Sequence, residues 1–329
     1  MILYLCDAAP DYGADYLYDG FCSLLGAENV IDWPSKANLH GGERASFDCD
    51  LAWPQHYWDA KRVNDTLWSG GFELVVIPSL RSEIPHMVSR GTKALRRNRD
   101  RIVCCDFEDH ALNTRPLFAD LLGFEPTLYC KRELPVGETW AMPLPFGYPA
   151  RRCVPVNQQR HNRAFYHVQV WPWAVGGLRE QLGYDLRRAL GDDASVGLFY
   201  EGQQRPGVRA YWDRLQRATV SVVPAGHGYF TNRLFESLAA GCAVVAEAPT
   251  MTFPGALVDD LEWVTFRNEM DAVDAAQRLI AEPEEASAIA SAGQCALRER
   301  HSTEVRARAV WRAMGMDRRE PVLRDGMGR

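Results

Sequence analysis

Between positions 226 and 236 the chain sets out residues whose types and spacing suit phosphate and ribose chemistry: Gly226, His227, Gly228, Tyr229, Thr231, Asn232, Arg233 and Glu236. The glycines let backbone approach a ligand closely. A helix starting near Thr231 would present free N–H groups, with the dipole behind them, to a phosphate. Arg233 adds a cation able to bind phosphate in bidentate fashion. Glu236 lies one helical turn further on the same face, where a carboxylate suits the two hydroxyls of a ribose. A capping box would need its glutamate at position 234, which is Leu234. A solvated Arg/Glu pair on a surface helix is the plain alternative. The coincidence of glycine loop, helix start, arginine and glutamate favours binding.

The elements that must hold these residues can be read on either side. Residues 219–223 are β-branched or apolar enough for a buried strand, and residues 224–228 break it with proline and glycine. In the helix, Leu234, Phe235, Leu238 and Ala239 share one face while Asn232, Arg233 and Glu236 share the other. Gly241 is placed to end it, and residues 242–246 form a second buried strand.

The run from Gly226 to Val245, with Arg233, Phe235, Glu236, Gly241 and Cys242 in order, resembles the donor-binding motif of GT-B glycosyltransferases. It is most like that of the group-1-type bacterial and exostosin-like enzymes. A looser similarity extends over about residues 165–311. The resemblance implies an α/β protein of two Rossmann-like domains with an interdomain cleft. It implies a nucleotide-sugar co-substrate, no other cofactor, Glu236 on the ribose and Arg233 near the diphosphate. His227 or Arg233 would stabilise the departing diphosphate, and Arg179 matches the basic residue of the family's first donor-domain loop. No metal is implied, because the family neutralises its leaving group with helix dipoles and basic side chains. Many retaining relatives carry another glutamate eight residues before Glu236, where this chain has Gly228. Stereochemistry therefore stays open.

Length and composition agree with two domains. The 329 residues are 47% hydrophobic, enough for two cores. We place an acceptor-side domain at 1–150, a donor domain at 151–316 and a frayed tail at 317–329, with a Pro/Arg/Gly-rich linker over residues 144–159. The formal charge of −6 argues against bulk attraction to nucleic acid or anionic membrane. Nine scattered cysteines without a CxxC pair offer no zinc site and fit a reducing compartment. The chain opens directly on an apolar strand, and no apolar run is long enough to cross a bilayer, so a cytoplasmic location is expected.

In the first half, strands at residues 2–6, 30–33, 72–78 and 101–106 alternate with helical patterns, the signature of a parallel sheet. Ligands gather beyond the carboxyl ends of such strands. Two acidic clusters fall there: Asp7, Asp11 and Asp15, and the run Asp106, Glu108, Asp109 and His110. Helix capping accounts for one or two of these. Asp109 or His110 is the expected catalytic base toward an acceptor hydroxyl. Asp48-Cys49-Asp50 matches the DxD metal pattern of another glycosyltransferase fold and reads as coincidence in a loop. The acceptor is open among a glycan, a protein, a metabolite and a modified DNA base. The alternatives to a transferase are a nucleotide-sugar epimerase of the same fold and a catalytically silent binding protein.

Overall fold

The computed structural model describes residues 1–41, 51–81, 83–156, 160–170 and 176–316. The Asp48–Asp50 motif, the tryptophan-bearing loop at 171–175 and the tail from 317 lie outside the described residues.

The first unit runs β1 (Ile2–Leu5), α1 (Tyr12–Leu25), β2 (Val30–Trp33), α2 (Ala60–Ser69) and β3 (Leu74–Ile77). It continues with α3 (Ile84–Arg97), β4 (Ile102–Asp106), α4 (Arg115–Leu122), β5 (Leu128–Lys131) and β6 (Met142–Pro143). The second unit opens with β7 (His161–Val170), α5 (Gly176–Leu190), β8 (Ala194–Tyr200), α6 (Val208–Arg217) and β9 (Ala218–Val223). It closes with α7 (Asn232–Ala239), β10 (Ala243–Glu247), β11 (Val264–Phe266), α8 (Glu269–Ala281), α9 (Pro283–Arg300) and α10 (Thr303–Ala313).

The first sheet has the order β2-β1-β3-β4-β5-β6 and the second β11-β10-β9-β7-β8. Read from opposite edges, the two share one winding, and every pairing between their strands is parallel. Alternate residues of the first sheet feed separate cores: Leu3, Val75 and Cys104 pack on one face, Tyr4, Val76 and Cys105 on the other. That two-sided burial is why these strands read as unbroken apolar runs. In each sheet the order reverses beside the first strand, between β1 and β3 and between β7 and β9. Such switch points open a crevice at the strands' carboxyl ends.

The chain crosses back at its end. Thr303 N–H donates to Tyr148 O and Tyr148 N–H to His301 O, so the segment entering the second unit pairs with the one leaving it. α10 then packs along α1 of the first unit. A Cβ on Gly20 would stand 2.0 Å from Thr303 O, so only glycine permits this approach. α1 starts at Tyr12, where Asp11 caps it by accepting from Ala14 N–H at 3.1 Å.

Candidate active site

A cavity of about 620 Å³ lies between the two sheets. Its first-unit wall includes Asp11, Arg81, Phe107, Asp109, Arg132 and Phe146; its second-unit wall includes His167, Arg179, Arg205, Trp212, Arg233 and Glu236.

The second-unit wall is built by the end of β7, by α5 and α6, and by the loop after β9 with α7. Thr231 stands at the N-cap with extended backbone, yet its side chain makes no cap bond, and its hydroxyl is buried without a partner. Asn232 Oδ1 and Arg233 Nε beside it are likewise buried and unpartnered, as are His167 Nδ1 and Trp212 Nε1 on the same wall. All five residues line this one space. Buried polar atoms are rarely left unpaired, so their convergence marks a place for a polar ligand.

Charge is arranged to match. Arg179 spends its fork on the Ala225 and Gln169 carbonyls. Burial, and then the nearby Arg233 guanidinium, pull its pKa down to about 10. An anion between the two would relieve that strain. None of Arg179, Arg205 and Arg233 is paired with a carboxylate among the described residues. Glu236 is buried, accepting from Asn232 Nδ2 at 2.6 Å and from the Tyr211 hydroxyl at 2.9 Å. Those bonds fix the carboxylate at the cavity it lines.

Aromatic residues floor this wall. His167 stacks on Phe165 with centroids 4.3 Å apart and sits near Phe199, while its Nε2 meets Ser195 Oγ at 3.0 Å. Burial, with Arg214 and Arg233 adding to it, lowers the His167 pKa to about 4, so the ring is neutral at physiological pH.

The glycine loop is held from the other unit. Glu133, fully buried just beyond β5, accepts the N–H groups of Tyr229 at 2.9 Å and Phe230 at 3.0 Å. Gly226, His227, Thr231, Asn232, Arg233 and Glu236 line the cavity together with Arg179 and Asp109. Gly228 and Tyr229 stand behind that surface: Gly228 backs onto Glu133, and the Tyr229 hydroxyl donates to Glu247 O at 2.6 Å. His227 is exposed at the mouth.

The acidic run after β4 is divided by its partners. Asp106 is buried against the Lys131 ammonium at 2.9 Å and accepts from Tyr129 and Thr114. Burial lowers the Lys131 pKa in spite of that pairing. His110 lies outside the cavity lining; it accepts from Leu112 N–H, and its Nδ1 is 3.5 Å from Lys131 Nζ. Asp109 reaches the cavity and pairs with Arg132. In the earlier cluster, Asp15 and Asp7 converge on buried Lys36, and Asp11 reaches the cleft.

Residues 201–312 match the model of a glycosyl transferase-like family. Across nearly its whole length the chain also superposes on solved glycosyltransferases. HepE of Anabaena, in complex with UDP and glucose, gives a TM-score of 0.59 at 10% identity, covering 95% of this chain and 99% of that one. A glycosyltransferase from Rickettsia africae gives 0.58 at 8% identity, covering 95% and 97%. An alpha-glucosyltransferase, in complex with UDP-glucose and DNA containing an abasic site, gives 0.59 at 10% identity, covering 95% and 98%. The chain has the GT-B fold of these structures. A comparison with curated protein sequences gives no match.

The motif read from sequence spans the strand, loop and helix that carry three of the five unpartnered atoms, those of Thr231, Asn232 and Arg233. His167, Arg205, Trp212 and Glu133 were not singled out from sequence. For His167 a signal exists: with Gln169 it puts polar side chains at alternate positions near the end of an apolar strand, on the face that meets the cavity. Glu133 carries no local signal, since its partners are 96 and 97 residues away.

Proposed function

We propose that the protein transfers a hexosyl group from a uridine-diphosphate sugar to an acceptor hydroxyl without a metal ion. One observation carries this reading: among the described residues, Thr231, Asn232, Arg233, His167 and Trp212 each bring a buried, unpartnered polar atom to one cavity that also holds three arginines paired with no carboxylate. A nucleoside diphosphate has the anionic oxygens, hydroxyls and base edge to engage such a set. UDP in the HepE and alpha-glucosyltransferase structures supports uridine as the nucleoside.

Arg233 and Arg179 face the diphosphate, with α7's first N–H groups and exposed His227 adding to its stabilisation. Glu236, held by Asn232 and Tyr211, takes the ribose hydroxyls. In the transfer the bond from sugar C1 to the β-phosphate oxygen breaks, and its electron pair leaves with UDP. The acceptor oxygen bonds C1, and its proton passes to the carboxylate of Asp109 and on to water. Charge on the leaving diphosphate is balanced by preorganised guanidinium groups.

Calorimetric titration with UDP, GDP and ADP tests the reading, followed by UDP release from UDP-glucose. UDP should bind to the wild-type protein and lose at least tenfold in affinity in Glu236→Ala, since a bond to a charged group is worth about 1.5–3 kcal/mol. Equal affinity of both proteins for UDP would sink the assignment. Interconversion of the sugar without release of UDP would make the protein an epimerase, and binding with neither reaction a silent binder.

A further inference from the structure

The two walls of the cleft differ in how their charges are settled, and that difference bears on the acceptor. On the first-unit wall each arginine is already held by two carboxylates. Arg81 binds Glu108 through Nε and through Nη2 at 2.6 Å, and reaches Asp11 at 3.4 Å through Nη1. Arg132 pairs with Asp109 through Nη2 and donates through Nε to Glu133 at 2.9 Å. Four carboxylates thus surround two guanidiniums, and the arginine groups carry no surplus positive charge. The opposite wall has Arg179, Arg205 and Arg233 without a carboxylate among the described residues.

We infer that the acceptor is an uncharged sugar, gripped through its hydroxyls by Asp11 and Asp109 and through its C–H face by Phe107 and Phe146, and that phosphate-bearing acceptors are excluded. This rests on the transferase reading above. Proteins that take a nucleic-acid strand or another polyphosphate do so with uncommitted lysines and arginines. Here a phosphate approaching the acceptor wall would meet the Asp11 and Asp109 carboxylates, with each guanidinium it might recruit already bound.

A sugar fits the same wall. Asp11 and Asp109 keep lone pairs beyond those their arginines use and can accept from vicinal hydroxyls. Asp109 is 53% exposed, so an acceptor can reach it from the cleft. Phe107 and Phe146 are stacked with centroids 6.3 Å apart, and the Arg132 guanidinium lies 4.5 Å from the Phe146 centroid. Both rings line the cavity and offer an apolar plane beside the carboxylates. Within this geometry one sugar hydroxyl would bond the donor's C1 while UDP leaves with the electron pair and Asp109 receives the proton.

The basic run near α3 offers no alternative phosphate track in the cleft. Arg96 donates to Gly123 O, Arg97 lies over Trp68, and Arg101 is bound to the Gly70 and Phe72 carbonyls. None of them lines the cavity.

The test uses the full chain with UDP-glucose and follows UDP release. It compares uncharged mono- and disaccharide glycosides with a sugar phosphate and with duplex DNA bearing hydroxymethylated pyrimidines. The glycosides should raise release above basal hydrolysis. Their kcat/KM should change less than about twofold between 50 and 200 mM salt, whereas phosphate-mediated binding falls by orders of magnitude over that range. Phe107→Leu should raise the acceptor KM about two- to tenfold with a smaller change in kcat, as loss of an aromatic contact worth about 0.5–1.5 kcal/mol requires. Phe146→Leu serves in its place if that variant does not fold. Stimulation by the DNA or the sugar phosphate in preference to glycosides overturns the inference. So does UDP-glucose hydrolysis that no glycoside accelerates, or an unchanged KM in a folded variant. Failure of the wild-type chain to bind UDP at all would instead refute the transferase reading beneath it.

Discussion

A Cβ built on Gly228 would stand 2.5 Å from Glu133 Oε1, so the glycine of one unit and the carboxylate of the other occupy adjoining space with no room for a methyl group. The consequence reaches the glycine loop. Glu133 takes the Tyr229 and Phe230 N–H groups, which a free loop could have turned toward a phosphate. In the proposed reaction, anion binding is left to the start of α7 and to the arginines. Gly228→Ala should therefore displace Glu133 and destabilise the protein by about 1–3 kcal/mol, the usual cost of overpacking a filled site. Urea unfolding measures it; an unchanged midpoint would mean that Glu133 moves aside freely.

Arg233 carries the donor's anionic end in the proposed reaction, and its Nε is buried without a partner. Lysine keeps the charge and loses the planar fork. Arg233→Lys should weaken UDP binding by about tenfold and Arg233→Ala by about a hundredfold, the range of one or two charge-assisted bonds. Calorimetry separates the cases: if both variants match the wild type, the diphosphate lies elsewhere in the cleft.

Two histidines give stability a pH dependence of known sign. Burial first, and then neighbouring arginines, hold His167 at a pKa of about 4 and His301 at about 2, both below the ordinary 6.5. The fold thus disfavours their charged forms. Their contribution is present above pH 6.5 and is lost as pH falls toward and through those folded values. For His167 the effect is on the order of 3 kcal/mol by pH 4. Asp15, raised to about 6 by burial, works in the opposite direction between its ordinary 3.8 and 6. Unfolding free energies measured from pH 7 to pH 4.5 should fall less steeply in His167→Phe than in the wild type. Parallel curves would show that the buried ring titrates normally.

Much of the architecture was legible because parallel strands buried on both faces leave unbroken apolar runs, as at Leu74–Ile77 and Ile102–Asp106. Arg233 and Glu236 could be read because one short helix carries both beside a glycine loop. The acidic run after β4 was less informative. Its spacing in sequence says nothing of partners, and Asp106 proved to be buried against Lys131 while Asp109 reached the cleft. His167 was obscured by the apolar strand around it, and Glu133 by the distance along the chain to the loop it holds. Local pattern shows which residues share a face; it does not show which distant charge will settle theirs.

Asp19 is the point at which the end of the chain is fastened to its beginning. Lying on α1 and fully buried, it accepts from Trp53 Nε1 at 2.8 Å, Arg151 Nη2 at 2.5 Å and Thr303 Oγ1 at 2.6 Å. These donors come from the first unit, the segment crossing to the second, and α10. Asp19→Ala leaves a guanidinium, an indole N–H and a hydroxyl without their shared acceptor. It should cost about 1–3 kcal/mol, as leaving buried donors unsatisfied does, because the half-exposed Arg151 can turn to water. Thr303→Val removes one neutral donor and should cost about 1 kcal/mol. Because the two side chains are bonded directly, the double variant should be less destabilised than the sum of the singles. Strict additivity in urea unfolding would show that α10 is held by its apolar packing on α1 alone. Neither residue lines the cleft, so UDP affinity measured on the folded Thr303→Val protein should match the wild type; a large loss there would show that α10's seat also sets the geometry of the donor wall.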